Sequence, residues 1–234
     1  MLFVYWRMGC FWRNTIMIRD RILGLKRWKN SLLFLGLTGC AAMLGYSEVR
    51  SANARAAAGA NTGHIAELVT HIPHSLTGTN ASLAICLRAT SESSSLFQPQ
   101  GQRQKTALAC SDLALRALER MPSHGAAYLV AAQSAQSRKN LIYFLEQSQR
   151  FAASEGWLAE RRIVLAHNDD LLDSRFAEKD LQLVLTTQGG AEFLAKLYLA
   201  KPEIRTAVSR AVMATAEPVR RRFVNQVTQQ KAAR

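Results

Sequence analysis

The stretch TALACSDLALRALERMPSHGAAYLVAAQSAQS, residues 106–137, decides the fold class because it contains two helix patterns separated by one break. Its first half repeats leucine at spacings that line one face of a helix: Leu108, Leu113, Leu115 and Leu118. The Pro122–Gly125 segment ends this helix, and the alanine-rich stretch after it predicts a second one. Two helices joined by so short a break are typical of a helical hairpin.

The alternation of helix and break continues to the end of the chain. LIYFLEQSQRFAAS is followed by a break at Gly156 and then by WLAERRIVLAHND, which predicts another hairpin. Later apolar patterns predict four more helices, at 175–187, 191–200, 203–215 and 217–231. With only five prolines and few β-branched runs, the chain is predicted to be all-α.

A weak internal repeat refines this prediction. Tyr128-Leu129 and Trp157-Leu158 follow helix-ending breaks at equivalent points, with an offset of about 30 residues, close to the tetratricopeptide period of about 34. Small side chains after Tyr128 allow neighbouring helices to approach closely. The sequence therefore predicts tetratricopeptide-like antiparallel hairpins over residues 105–231, stacked so that each unit covers the apolar face of the next.

Three stretches carry a family resemblance: LALRALERMPSHGAAYLVAA, SEGWLAERRIVLA, and the later DLQLVL … YLAKPEIRTAV … RRRFVNQV. Over residues 105–230 the chain resembles bacterial proteins with an N-terminal membrane anchor and a tetratricopeptide-like domain, associated with exopolysaccharide production. The resemblance implies an accessory role in polymer synthesis or export. It also implies protein partners within that assembly and neither catalysis nor a cofactor.

The N-terminal region predicts a membrane segment. Ser31–Tyr46 carries no charged residue, and Lys26, Arg27 and Lys29 immediately precede it. Such a segment spans roughly 24 Å as a helix, slightly less than a hydrocarbon core of roughly 30 Å. Because basic flanks stay in the cytoplasm, residues 1–30 are predicted to be a cytoplasmic leader and 31–47 a single span of the bacterial inner membrane. The rest of the chain is then extracytoplasmic.

Two other forms of the N-terminus remain open. Leu37–Cys40 reads LTGC and resembles a lipobox, which would make Cys40 a lipidation site and the protein a lipoprotein. The apolar run continues past Cys40, which favours an uncleaved span instead. A cleaved signal peptide has the same general layout. Met17 is an alternative start to Met1, and all three forms predict export.

Residues 48–104 are predicted to be a tether followed by an irregular region. Two cysteines in the exported part, Cys86 and Cys110, are either a disulfide, which an oxidising compartment permits, or two small buried thiols. Three histidines also occur before residue 80: His64, His71 and His74. Their spacing is interrupted by a proline and there is no nearby pair of carboxylates, so no metal site is predicted.

The net charge of +13 does not by itself predict nucleic-acid binding. Seven lysines and arginines lie in residues 1–30 against one aspartate, which is simpler to interpret as a topology signal. A second basic cluster, Arg220, Arg221 and Arg222, is either a solvated helix surface or a contact for an acidic polysaccharide or lipid headgroups. The acidic turn at 169–173 is interpreted as a helix boundary rather than a catalytic carboxylate pair.

The segment SEGWLAERR contains the other candidate interaction residues. Trp157 and Arg161 are one helical turn apart, so they share a face and are predicted to anchor a seam between repeats. Arg161 is placed to stack or to meet an acid, within the fold or outside it. Glu160 and Arg162 lie off that face and are expected to be solvated.

Together these features predict a membrane-anchored, extracytoplasmic helical-repeat scaffold, not an enzyme, that assists exopolysaccharide synthesis or export. One alternative is a polysaccharide-active enzyme with its site in residues 60–100. A more distant alternative is a basic helical protein that binds nucleic acid in the cytoplasm.

Overall fold

The computed structural model describes residues 25–91 and 98–233, with side chains from Phe34 onward apart from that of Thr62. Within these residues the chain forms eleven α-helices and two 3-10 turns and contains no β-strand. The prediction of an all-α protein is therefore confirmed.

The helices are α1 (Leu25–Ala60), α2 (Ile65–Thr70), α3 (Leu76–Ala89), α4 (Gln100–Arg120), α5 (Gly125–Gln133), α6 (Arg138–Phe151), α7 (Gly156–Asn168), α8 (Arg175–Thr186), α9 (Gly190–Ala200), α10 (Arg205–Met213) and α11 (Glu217–Ala232). The 3-10 turns, Thr62–His64 and Pro202–Ile204, directly precede α2 and α10. Helices α8 to α11 begin and end within two residues of their predicted bounds.

The chain divides into two compact units, Met1–Tyr46 and Ser47–Arg234. In the first unit the described large apolar side chains are exposed: Phe34, Leu35, Leu37, Met43 and Leu44. Of the helices in the described ranges, none combines the length and the apolar character that crossing a membrane requires. The predicted leader as far as residue 24, with the alternative start at Met17, lies outside the described residues.

The second unit is built around two apolar clusters. The first joins the end of α1 to the beginning of α8 and includes Leu83, Leu113, Leu129, Leu145 and Leu158. The second involves α7 to α11 and includes Ile163, Leu181, Leu194, Val208 and Phe223. Leu172 packs against both clusters, so the helices of this unit share a nearly continuous interior.

Helix α3 is the main difference from the prediction, which treated residues 48–104 as tether and irregular structure. Ser75 caps this helix, because its Oγ accepts a hydrogen bond from the Gly78 amide at 3.1 Å. The helix buries Leu83 and also buries Ser82, whose hydroxyl donates to the Gly78 carbonyl. Small polar residues on a buried face conceal the apolar periodicity from which helices are predicted.

A disulfide holds α3 against α4. Cys86 and Cys110, both fully buried, are bonded with their Cα atoms 5.6 Å apart. Of the two alternatives that the sequence left open, the structure has the disulfide. Helix α3 is therefore covalently tied to the helical core that begins with α4.

Two glycines mark a structural repeat in the second unit. Gly125 and Gly156 each occupy the first position of a helix, α5 and α7. A Cβ at Gly125 would lie 2.4 Å from the Cβ of Ala152, and one at Gly156 would lie 2.5 Å from Cγ2 of Thr187. Ala152 and Thr187 are the C-terminal caps of α6 and α8. The start of α5 thus packs on the end of α6, and the start of α7 on the end of α8, in the same manner.

Candidate functional site

The N-terminal half of α7 presents Trp157 and Arg161 to solvent. They lie one helical turn apart and line the same surface cavity. Trp157 is 50% exposed, and Arg161 is exposed as well. The sequence suggested that Trp157 anchors a seam between helices, and a tryptophan in that role would be largely covered. Trp157 is covered only by half. The structure instead brings these two residues together at an open surface.

Helix α3 forms the other wall of this surface. Residues at four-residue spacing along one face of α3 line it: Leu76, Asn80, Ala84 and Arg88. Ala81 and Ile85 lie beside this stripe. The wall is shallow in its middle, because the side chains of Ala81 and Ala84 are small. Cys86 lies two residues before Arg88 on the same helix, and its disulfide with Cys110 fixes the position of this wall.

Two cavities between these helices form a single groove. One, of about 540 Å³, extends to the start of α5 at His124–Ala126 and to Phe151. The other, of about 650 Å³, extends to Arg55 of α1. Ala81, Ala84 and Trp157 line both cavities, so we call the continuous depression the Trp157 groove.

One end of the Trp157 groove is cationic. Arg55, Arg88 and Arg161 line it, and none of the described residues that line it is acidic. Arg55 donates from Nη1 to the Ser51 hydroxyl at 3.0 Å. The side chains of Arg88 and Arg161 form neither a hydrogen bond nor an ion pair with any residue in the described part of the chain. Among the described residues that line this end, the charged side chains are these three arginines, and Glu48 and Glu160 interact electrostatically with Arg55 and Arg161 from outside the cavity.

The opposite end of the groove contains a histidine that caps a helix and exposed apolar side chains. His124 caps α5, because its Nδ1 accepts a hydrogen bond from the Ala127 amide at 3.3 Å. Burial lowers the pKa of His124 below its ordinary value of 6.5, and the nearby charge of Glu155 acts in the other direction. Leu76 and Phe151, both exposed, give this end its apolar surface. The groove thus has a cationic end and an apolar end with Trp157 between them.

The expectation that Arg162 is solvated is wrong. Arg162 is completely buried, and it forms a bidentate ion pair with Asp180 of α8 at 2.7 and 2.8 Å. Its Nη1 also donates to the Ser148 hydroxyl at 3.2 Å. Burial raises the pKa of Asp180, while the hydrogen bonds and the charge of Arg162 act against that rise. The pair joins α6, α7 and α8 in the interior and has a structural role.

A signal for this pair exists in the sequence. Arg162 lies four residues after Leu158 and four before Ala166, at the centre of the buried face of α7. Asp180 lies between Ala177 and Val184 on the buried face of α8 in the same way. Opposite charges at core positions of neighbouring helices indicate a buried ion pair, whereas a count of charges alone does not.

The basic cluster on α11 is largely paired within its own helix. Arg220 contacts Glu217 at 2.8 Å and Arg221 contacts the same carboxylate at 2.7 Å. Arg222 is exposed and forms no ion pair with the described residues. Because two arginines share one carboxylate and Arg222 has no ion pair among the described residues, the cluster keeps a net positive charge for an anionic partner.

The remaining candidates are a cysteine of the first unit and the histidines of the second. Cys40 is an exposed free thiol in α1. His64 pairs with Glu67 at 2.7 Å, and among residues 25–91 and 98–233 no cluster of three or more potential metal ligands is present. Neither feature adds chemistry to the site.

Comparisons of the chain with protein-family models, with curated proteins and with solved structures gave no match. The geometry of the Trp157 groove therefore carries the functional argument.

Proposed function

We propose that this chain is a membrane-anchored, extracytoplasmic helical-repeat scaffold that assists exopolysaccharide synthesis or export by binding another protein of that assembly. The observation that carries the proposal is the Trp157 groove. An open groove lined by an exposed tryptophan and by arginines has the residue types that dominate binding energy at protein interfaces. The exopolysaccharide setting comes from the resemblance over residues 105–230.

The packing of consecutive helices supports the tetratricopeptide-like part of the proposal. Helix α5 packs on α6, and α7 packs on α8. In both pairs the glycine that begins the first helix, Gly125 or Gly156, contacts the C-terminal cap of the second. Stacked hairpins of this kind present extended grooves, and their function is commonly to hold a partner rather than to catalyse a reaction. We therefore propose that the protein is a scaffold and not an enzyme.

Two observations support the proposed location. The exposed apolar side chains between Phe34 and Leu44 follow the basic Lys26–Lys29 segment, as in a segment that enters a membrane with its basic side in the cytoplasm. The Cys86–Cys110 disulfide suits an oxidising compartment. Both favour a second unit outside the cytoplasm, held at the membrane by residues 31–47.

Deletion of the gene, followed by complementation, tests the role in polymer production. We expect deletion to lower exopolysaccharide yield or shorten the polymer, and the wild-type gene to restore it. Trp157→Ala should fail to restore production at equal protein level. The matched control is Tyr143→Ala, because Tyr143 is also 50% exposed but lies outside the groove. Unchanged yield and chain length after deletion would refute the exopolysaccharide role.

Reporter fusions test the location separately. A phosphatase that is active only outside the cytoplasm, fused after residue 60 at the end of α1, should be active in cells. A fluorescent reporter that folds only in the cytoplasm should be dark at the same position. The reverse pattern would place the second unit in the cytoplasm and rule out the proposed anchor topology.

A further inference from the structure

We infer that the occupant of the Trp157 groove is an acidic amphipathic polypeptide segment, whose apolar side chains cover Trp157 and whose carboxylates meet Arg55, Arg88 and Arg161. The inference rests on the proposed scaffold function and specifies the chemistry of the partner. The bound segment would lie between α3 and α7, with its carboxylates at the end of the groove next to α1.

The charge distribution selects an acidic partner. Three arginines line the cavity of about 650 Å³, and among the described residues that line the two cavities one is acidic, Glu155, at the other end. Opposite charge on a partner speeds its association and fixes its orientation. Guanidinium groups also bind carboxylates through paired hydrogen bonds. Carboxylates of the partner should therefore lie at the α1 end of the groove.

The apolar surface selects a polypeptide with hydrophobic side chains. Between the arginines and His124 the exposed apolar lining is formed by Trp157, Leu76 and Phe151, with alanines between them. An amphipathic helix places apolar side chains at spacings of three and four residues, which matches the four-residue stripe along α3. A polymer that offers charge alone would leave this apolar surface uncovered.

Other occupants fit less well. The N-terminal leader of this chain is rich in arginine and lysine, so it has the same sign of charge as the cationic end. An acidic polysaccharide would satisfy the arginines, but only Asn80, Ser123, His124 and Glu155 offer polar side chains to its hydroxyl groups in the other cavity. Those groups lie beyond Trp157, away from the arginines. An acidic polypeptide with apolar residues would contact both the cationic end and the apolar end of the groove.

Direct binding measurements test the inference with defined probes. The first probe is a fluorescein-labelled amphipathic helical peptide with Glu on one face and Leu on the opposite face. The second replaces every Glu with Lys, and the third replaces every Leu with Ser. Polygalacturonate is the fourth, as a competitor that carries carboxylates on a sugar chain. Binding to the purified full-length chain is followed by fluorescence anisotropy.

We expect the Glu/Leu peptide to bind, and the Lys/Leu and Glu/Ser peptides to bind at least tenfold more weakly. Arg88→Glu combined with Arg161→Glu should weaken binding at least thirtyfold, and Trp157→Ala at least tenfold. Arg222→Glu and Tyr143→Ala are the matched controls, because both residues are exposed and lie outside the groove. Each control should change the affinity less than twofold. Unchanged thermal unfolding verifies that each variant is folded.

Several results would overturn the inference. Equal binding of the Glu/Ser peptide, or displacement of the Glu/Leu peptide by polygalacturonate at the same residues, would assign the groove to polyanions in general. An effect of Arg222→Glu as large as that of the groove variants would indicate non-specific charge attraction. Absence of binding by every probe would remove the acidic segment as the occupant.

The two proposals can fail independently. If deletion lowers exopolysaccharide production but no acidic peptide binds, the scaffold role stands and the partner chemistry is wrong. If the Glu/Leu peptide binds as expected while deletion leaves the polymer unchanged, the groove is assigned correctly and the exopolysaccharide role is wrong.

Discussion

Arg162 of α7 and Asp180 of α8 form a bidentate ion pair in the interior of the second unit, with side chains 0% and 1% exposed. The neighbouring Arg161 is exposed on the wall of the Trp157 groove. Because successive helical residues point about 100° apart, a step of one residue separates an arginine that holds the fold together from one that is available to a partner.

Replacement of Arg162 by methionine should destabilise the protein strongly. The substitution leaves the Asp180 carboxylate buried without its partner, which typically costs about 3–5 kcal/mol. Arg161→Met is the matched control and should change the free energy of unfolding by less than about 0.5 kcal/mol. Urea denaturation followed by circular dichroism measures both. Similar losses for the two variants would contradict the structural role of Arg162.

A double variant separates the pair from its surroundings. Arg162→Met combined with Asp180→Leu removes both charges, so no unpaired carboxylate remains in the interior. We expect it to recover most of the stability lost in Arg162→Met, since apolar replacements of buried ion pairs are often neutral or stabilising. A double variant that is less stable than Arg162→Met alone would show that the ion pair itself contributes net stability.

Reduction of the Cys86–Cys110 disulfide should lower the stability of the second unit. The bond closes a loop with a sequence separation of 24 residues, for which loop-closure entropy predicts about 3.5 kcal/mol. The melting temperature of the wild type should fall on addition of dithiothreitol. A Cys86→Ala/Cys110→Ala variant should start at the lower temperature and not respond to the reductant. An identical response of both proteins would assign the effect to something other than this bond.

The helices after residue 170 could be predicted closely because Gly189-Gly190, Pro202 and Pro218 mark their starts. Helix α3 could not, because buried Thr79 and Ser82 interrupt its apolar pattern. The Trp157 groove also depends on α3, some 70 residues earlier in the chain than α7. A single sequence carries no signal for which distant helix faces Trp157, so only one wall of the site could be anticipated.

The glycine contact at the start of α5 should be intolerant of a larger side chain. A Cβ at Gly125 would lie 2.4 Å from the Cβ of Ala152, so Gly125→Ala forces the ends of α5 and α6 apart. We expect a loss of about 1–3 kcal/mol, as for other overpacked contacts. Gly101→Ala is the control, because a Cβ there meets nothing within 4 Å. It should be neutral or slightly stabilising in urea denaturation.

Exchanging the two small residues provides the rescue. In Gly125→Ala combined with Ala152→Gly, the methyl group moves from one side of the contact to the other. We expect this variant to regain most of the stability that Gly125→Ala loses. If it remains as unstable as the single variant, the loss arises from the backbone of α5 and not from the contact with Ala152.

The stability of the protein should fall in acid partly through His124. Burial lowers the pKa of this imidazole in the folded state, below its ordinary value of 6.5. As pH falls below 6.5, the unfolded chain therefore binds the proton before the folded chain does, which shifts the equilibrium toward unfolding. Protonation also removes the Nδ1 acceptor that caps α5 through the Ala127 amide. The stabilising contribution of neutral His124 is complete above pH 6.5 and is lost below it.

The matched variant is His124→Asn, which supplies a capping oxygen that does not titrate in this range. Melting temperatures of wild type and variant, measured between pH 8 and pH 5, isolate the contribution of this residue because the other histidines are common to both. We expect the two curves to run in parallel above pH 7 and the wild type to fall more steeply between pH 6.5 and 5. Parallel curves over the whole range would show that His124 titrates alike in the folded and unfolded chains, contrary to its half-buried position at the start of α5.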